Sequence, residues 1–443
     1  MPSKEELKAN VCTAIDQRRE EIIAVAQAIL EYPELGFREV KTSHLVVQKF
    51  AELGIPYRDG LAITGVKGVV EGGHGGPAVC ILGELDALIV PGHLKANPQT
   101  GAAHACGHHA QIGMLIGVAA ALTGSGVLPF LGGKVVFMAV PAEENIEIGF
   151  REGLRKEGKL SFLAGKPELI KRGEFDDVDL AIFTHTMAAS EVRKLAVGGT
   201  MNGMVAKYVQ FTGKGAHSGS MPHWGINALN AAMIALSAIH AQRETFRDDD
   251  TVRVHPIITS GGKSVNIVPD DVRMETFVRG KTIESIRDAD TKVDRALRAG
   301  AMAVGGQVRI TTLPGYLPLI NDPNLQKLYK SNAVSLVGEI DVGVLSHSTA
   351  STDLGDVSHI MPVINGCAGG ATGTIHGNDY LIEDYELAVL NPAKAMAMLV
   401  IDLLADGAAE GRKLLSISKP PMTKKEYLRL MDSLLKEEEY DYR

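Results

Sequence analysis

A recurring unit constrains this chain more than any other feature: a short run rich in valine and isoleucine, followed by residues that can do acid–base or metal chemistry. The runs lie at 66–70, 78–83, 134–140 and 179–184, with a helical pattern over 111–122 between two of them. Strands alternating with helices predict a largely parallel α/β sheet. In open sheets of that kind the ligand crevice lies outside the carboxyl ends of the strands. Asp86, Glu144 and His185 each follow one of these runs. Upstream, 4–31 reads as one amphipathic helix stopped by Pro33, and 42–53 as a second ended by Gly54.

From about Thr200 the pattern changes. Strand patterns at 206–212, 251–260, 271–278 and 307–313 alternate with helical patterns at 225–243 and 283–303. The order β-α-β-β-α-β is the split pattern of a ferredoxin-like α+β unit. Helical patterns at 325–336 and 392–404, with a strand at 361–365, then bring back the α/β alternation. The expected organisation is a discontinuous α/β domain, 1–199 and 316–443, interrupted by an inserted domain, 200–315. The tail from 413 carries Pro420 and Pro421, then a charged amphipathic helix expected over 424–439.

Composition removes several classes. Lys+Arg total 45 against 53 Asp+Glu, a formal charge of −8, so there is no basic footprint for nucleic acid. A single Trp makes a base-stacking platform an unfavoured reading. Cys12, Cys80, Cys106 and Cys367 are far apart and suit a reducing compartment rather than a disulfide framework. The polar start at 1–10 lacks a signal-peptide pattern, and the most apolar run, 112–122, falls short of the roughly 20 residues of a membrane span. A soluble cytoplasmic protein with no membrane or nucleic-acid partner is the expectation.

The densest chemical signal is His104-Ala-Cys106-Gly-His108-His109, just before the helix at 111–122. Thiolate and imidazole suit a borderline-soft metal such as zinc. Cys106 and His108, two apart, would not share a helix face, so they belong on the turn before it. A buried Cys with helix-entry histidines is the bland alternative. Pro141-Ala-Glu143-Glu144 ends the strand at 134–140, where neighbouring carboxylates point to opposite sides; a solvated loop is the alternative there. Gly83-Glu84-Leu-Asp86, His185 and His376 in the glycine-rich loop 369–377 are weak singly. Taken together at strand ends, these groups read most economically as a dinuclear metal site. His217, in Gly213-Lys-Gly-Ala-His217-Ser-Gly219, is either a catalytic donor or the cap of its own turn.

These residues resemble the dinuclear zinc amidohydrolases and carboxypeptidases that include aminoacylase, glutamate carboxypeptidase, hippurate hydrolase, auxin-conjugate hydrolase and aminobenzoyl-glutamate hydrolase. The resemblance covers about 18–405: Arg18-Arg19, Tyr32-Pro-Glu-Leu-Gly-Phe37 with Glu39, then 83–88, 104–108, 141–144, His185, 213–219 and 265–269, in the family's order. Ser351-Thr-Asp-Leu-Gly-Asp-Val-Ser358 looks most like the aminobenzoyl-glutamate hydrolase branch. The resemblance implies a zinc-peptidase catalytic domain with an inserted ferredoxin-like lid that also dimerises. It implies two divalent ions, zinc by preference with manganese, cobalt or nickel as alternatives. Cys106 would bridge them, and His108, Glu144, His185 and His376 would complete the set. Glu143 matches the general base that deprotonates the attacking water, and Asp86 the acid that orients a ligand. His217 matches a His that reaches the other subunit's active site, and Asn266 with Arg279 a pair that grips the substrate from the lid. Two positions depart from the commoner pattern: Glu84 stands where many relatives have His, and His109 where Asp or Asn is usual. His104 and His109 are read as supporting or structural.

The implied reaction is hydrolysis of an amide bond in an N-acyl or N-aroyl amino acid, or a small peptide, with a free carboxylate. Two ions about 3.5–4 Å apart can polarise a carbonyl and lower the pKa of water. The forked guanidinium of Arg279 suits a carboxylate. A metallo-dipeptidase or aminopeptidase would need a further acidic group for a substrate amine, and a non-catalytic relative would have lost Glu143 or its ligands.

Overall fold

The computed structural model describes residues 2–188 and 190–443. The chain opens with α1 (Lys4–Gln17), α2 (Arg19–Leu30) and α3 (Val40–Glu52). Then come β1 (Tyr57–Leu61), β2 (Gly65–Glu71), β3 (His74–Glu84), α4 (His108–Gly124), β4 (Gly132–Val140), α5 (Ile148–Lys156), α6 (Gly165–Arg172), β5 (Leu180–Thr186) and β6 (Leu195–Gly198). The next stretch holds β7 (Gly203–Thr212), α7 (Ala228–Ala241), β8 (Arg253–Val254), β9 (Ile257–Ser260), β10 (Asp271–Gly280), α8 (Ile283–Val304) and β11 (Gln307–Pro314). The last has α9 (Pro323–Val337), β12 (Val342–Leu345), α10 (Leu354–Ser358), β13 (Val363–Ala368), α11 (Asn391–Ile417), α12 (Lys424–Leu434) and β14 (Lys436–Asp441).

The first sheet has the order β1-β2-β4-β3-β5-β13-β6-β12. Its centre, β4-β3-β5-β13, is parallel, so three carboxyl ends that carry chemistry lie side by side. The fold is therefore α/β with a mainly parallel sheet. Helix α4 is buried on every side from His108 to Leu122, because the sheet takes one face while α2 and α11 take the others. All-round burial explains why its sequence carries no polar stripe. The expected single helix over 4–31 is two, broken at Arg18, whose φ of −106° and ψ of 16° are not helical. Helix α11, the most apolar long helix, is mostly buried among core residues, and left-handed backbone at Asp406 to Ala408 interrupts it just past the expected end at Leu404.

The second sheet has the order β8-β10-β7-β11-β14, with β9 also on β10. Strands β7 to β11 and helices α7 and α8 reproduce the β-α-β-β-α-β order. The strand expected over 251–260 is split into β8 and β9, and Pro256 lies between them without a ladder donor. Residues from both helices and the sheet form one apolar cluster, including Phe211, Ala232, Val278 and Leu297. The opposite face is covered within the chain: Met204, Ala206, Phe277 and Leu313 pack against Ile148, Leu163, Ala164 and Tyr316.

The tail differs most from expectation. Helix α12 stops at Leu434, and 436–441 form β14, antiparallel to β11 from Gln307↔Asp441 to Thr312↔Lys436. Tyr427 and Met431 of α12 are fully buried in the core cluster of the first sheet, and Tyr427 Oη donates to Asp356 Oδ1 at 2.9 Å. The tail thus anchors on one sheet and closes an open edge of the other.

Candidate metal centre

The site forms where the parallel strands end. Glu84 ends β3 and Asp86 follows it; Glu143 and Glu144 follow β4; His185 lies on β5. Cys106 and His108 come from the turn into α4. That turn depends on Gly107, whose φ is +86°; a β-carbon there would overlap Thr186 Oγ1. His376 arrives on the 369–379 loop, tied by its N–H to Ala105 O at 2.8 Å.

Three groups of ligand atoms result; Glu84, His108 and Glu143 form one, and the other two share one thiol. Ligand atoms of Cys106, His108 and His185 lie within 4.8 Å of one another, and so do those of Cys106, Glu144 and His376. Cys106 Sγ is 3.3 Å from His185 Nε2, and His376 Nε2 is 3.1 Å from Glu144 Oε1. Asp86 orients this set. Its backbone oxygen is 2.8 Å from His108 Nδ1, which leaves Nε2 to face the triad, and its Oδ2 accepts from Glu144 N at 2.8 Å. His108 Nε2 and Glu144 Oε1 are buried without a well-aligned hydrogen bond, their nearest polar neighbours being Glu84 at 3.2 Å and His376 Nε2 at 3.1 Å. Buried polar atoms are normally satisfied. Poorly satisfied atoms of this donor chemistry, converging in two triads that share a thiol, fit two cations.

The electrostatics agree. Burial and the Glu144 carboxylate push the Cys106 thiol up, but His185 and His108 outweigh them and bring it to about 6. A thiolate is thus present at neutral pH, the form that ligates metal. Burial also raises Glu144, yet His376 brings it down to about 2. Glu143 is held well above the usual carboxylate range by burial, then by the charges of Glu84, Glu144 and Asp353.

Glu84 is in neither triad with Cys106. One of its oxygens is 2.5 Å from the fully buried Lys166 Nζ; the other accepts from Gln111 and stands 3.2 Å from His108 Nε2. Lys166 also pairs with Asp353. His104 and His109 are buried with rings 5.3 Å apart and lie outside the triads; burial pushes His109 down to about 3.

A cavity of about 450 Å³ opens over the triads. Cys106, Glu143, Glu144, His185 and His376 form its floor, while Met201, Met204, Phe277, Arg279 and Tyr316 come from the second sheet and its junctions. Arg279 stands over the Phe277 ring at 5.2 Å and has no ion pair among the described residues. His217 and Asn266 are not at this cavity. Both are exposed, on adjoining loops joined by Ser218 N–H to Asn266 O at 3.0 Å. His217 Nδ1 accepts from Gly219 and Ser220, so within its own chain it caps its own turn. Lys166, Arg151 and Tyr316 had no signal in sequence: the first two are charged residues on short helices, where a solvated position is the ordinary reading.

The sequence profile of peptidase family M20/M25/M40 matches residues 80–401. A Xaa-Arg dipeptidase of Mus musculus is 28% identical over 90% of this chain and 89% of its own. An N-acyl-L-amino acid amidohydrolase of Geobacillus stearothermophilus is 26% identical over 76% of this chain and 86% of its own. Among solved structures, a dinuclear metal binding M20 peptidase of Bacillus subtilis superposes with a TM-score of 0.65 at 22% identity, covering 88% of this chain and 99% of that one. An aminobenzoyl-glutamate utilization protein of Klebsiella pneumoniae gives 0.67 at 16%, covering 88% and 97%.

Proposed function

The chain belongs to peptidase family M20/M25/M40 and is a metal-dependent hydrolase of amide or peptide bonds, and from that premise we propose that its substrate is an N-acyl or N-aroyl amino acid with a free carboxylate, of the aminobenzoyl-glutamate kind. One observation carries the reading: the Arg279 guanidinium, without an ion pair among the described residues, is in the wall of a cavity whose floor is the candidate metal centre. A planar fork of this kind matches a carboxylate bidentately. Met187, Met201, Met204 and Phe277 give the same cavity an apolar wall for the acyl group. Among the described residues that line it, the only carboxylates are Glu143 and Glu144, both of which the chemistry uses. A free substrate amine would lack a partner, which weighs against the dipeptidase reading suggested by the mouse relative.

Cys106, His108 and His185 would hold one ion, and Cys106, Glu144 and His376 the other; thiolate with imidazole favours zinc. Such ions supply Lewis-acid polarisation of the amide carbonyl and a more acidic water. Glu143 takes the proton of the attacking water and returns it to the leaving nitrogen. Arg279 sets the carboxylate end, which fixes the distance of the scissile bond from the floor.

Arg279→Met is expected to raise KM for acyl-amino acids by about 10- to 100-fold, the scale of a charged hydrogen bond of about 1.5–3 kcal/mol, with kcat much less affected. The amide-capped form of the same substrate should lose nothing further. Equal KM values for the free and capped substrates in the unaltered enzyme would remove the carboxylate from the reading, and faster cleavage of N-free dipeptides than of N-blocked ones would favour the dipeptidase.

The enzyme is further proposed to work as a homodimer through the second sheet. With β14 on β11, the remaining edge is β8 and β9, and β9 is exposed along all four residues. On α7 beside it, Met233 is 55% and Ile234 39% exposed. An open edge of this kind is a template for pairing, and two-fold pairing is the commonest closure. His217, with Nδ1 committed to its turn, would offer Nε2 to the partner's cavity, and Asn266 travels with it. Inactive His217→Ala chains mixed with inactive Glu143→Gln chains should then regain activity, because one site of the mixed dimer has both groups intact. No recovery despite demonstrated subunit exchange would leave His217 with only its turn.

A further inference from the structure

The turn that carries Glu143 and Glu144 is strained at both ends. Ala142 and Glu147 have positive φ values of 53° and 52°, a region that non-glycine residues rarely occupy. Strain of this kind persists only where the surroundings over-determine it. Here three of the turn's backbone groups are each tied by a buried side chain from elsewhere in the chain. Glu39 Oε1 accepts from Ala142 N at 2.7 Å, and Asp86 Oδ2 accepts from Glu144 N at 2.8 Å. Tyr316 Oη, at the exit of the second sheet, donates to Glu143 O.

Two carbonyls of the turn, Ala142 O and Glu144 O, accept from the backbone N–H groups of Gly165 and Ile146 at 3.3 and 2.8 Å and share one further donor side chain. Arg151 of α5 is 1% exposed, and no carboxylate pairs with it among the described residues. Its Nη1 donates to Leu163 O at 2.7 Å and Ala142 O at 3.2 Å, and its Nη2 donates to Glu144 O. Its guanidinium lies 5.2 Å over the Phe37 ring, and a side chain at Gly36 would collide with Nη2. The Gly36-Phe37 segment is thus shaped around this cation. A buried charge usually meets an opposite charge. This one meets three carbonyl dipoles, two of them flanking the peptide of Glu143.

We propose that Arg151 is the positioning residue of the carboxylate turn, fixing Glu144 toward the ion it shares with Cys106 and His376, and Glu143 over the cavity floor. The proposal rests on the assignment of Glu144 as a ligand and Glu143 as the base. The guanidinium presents several donors in a rigid plane, so it bonds three carbonyls from two segments at once; an ammonium is a point donor on a flexible stem. Arg151→Lys therefore keeps the charge and loses the fork.

The test is zinc titration of the metal-stripped full chain against a chelating indicator, with circular dichroism to follow the folded fraction. The unaltered chain should show two sites. In Arg151→Lys and Arg151→Met one site should weaken by about 10- to 100-fold, the usual effect of removing the support of a ligand, while the other holds. At saturating zinc, kcat should fall and KM should stay close to that of the unaltered enzyme. Two unchanged sites with unchanged kcat in both variants overturn the proposal. So does equal loss of both sites in step with the folded fraction, since that is a purely structural role. If Arg151→Met does not fold, Arg151→Lys decides. Glu144→Gln, titrated alongside, separates the two possible failures. If it leaves both sites intact, Glu144 is not a ligand. If it loses one site while both Arg151 variants keep two, only the positioning role falls.

Discussion

Glu143→Gln should bring turnover down by about 10²- to 10⁴-fold, the span that general acid–base catalysis contributes, with both metal ions and the substrate still bound. The amide keeps the shape of the side chain and its fit among buried neighbours but cannot accept a proton from water. Glu143 is suited to that step. Burial and the nearby charges of Glu84, Glu144 and Asp353 hold its proton affinity well above that of an ordinary carboxylate. Its backbone oxygen is fixed by Tyr316. The measurements are kcat, metal content by mass spectrometry, and binding of an uncleaved substrate to the variant. Metal loss instead of turnover loss would mean that Glu143 and Glu144 have exchanged roles. Turnover within tenfold of the unaltered enzyme would mean that Glu143 is not the base.

The clustering of these residues was legible because topology does most of the work. A parallel sheet places the ends of β3, β4 and β5 together, so Asp86 and Glu144 just past their strands meet His185 near the end of β5. The Cys106–His108 turn was legible from its density of ligands and the glycine between them. The supports were not. Arg151 and Lys166 are charged residues on short helices, and sequence reasoning assigns such positions to solvent. Their burial follows from carbonyl and carboxylate partners that are distant in sequence, such as Leu163 and Asp353. The tail shows the same limit. Its run of glutamates reads as the end of a charged helix, yet an edge strand tolerates charge on its solvent face, and Arg309 meets Glu439 at 2.7 Å across the new pair. The second sheet also shows how far a reading by element order reaches. The order of strands and helices was correct, but which face of the second sheet is covered depends on Ile148 and Leu163, which lie in another part of the chain.

Cys106→Ser should lose metal and activity together, because Cys106 is the one residue common to both triads. The native thiol is brought to about 6 by His185 and His108 against the opposing effects of burial and Glu144, so the thiolate is already formed at neutral pH. A serine hydroxyl in the same place stays protonated and offers neither ion a charged bridge. Each ion would then keep only two protein ligands, His108 with His185 or Glu144 with His376. Metal content should fall well below two ions per chain after dialysis, and turnover should fall with it. Cys106→Asp is the informative partner. A carboxylate is anionic at neutral pH and has two oxygens, so it can serve two ions; it should recover part of the metal and part of the rate where Ser does not. Full stoichiometry and turnover in the Ser variant would show that the thiolate is no bridge. The 3.3 Å approach of Cys106 Sγ to His185 Nε2 would then be the packing of a buried thiol against a histidine, and the two triads would need separate anions to hold their ions.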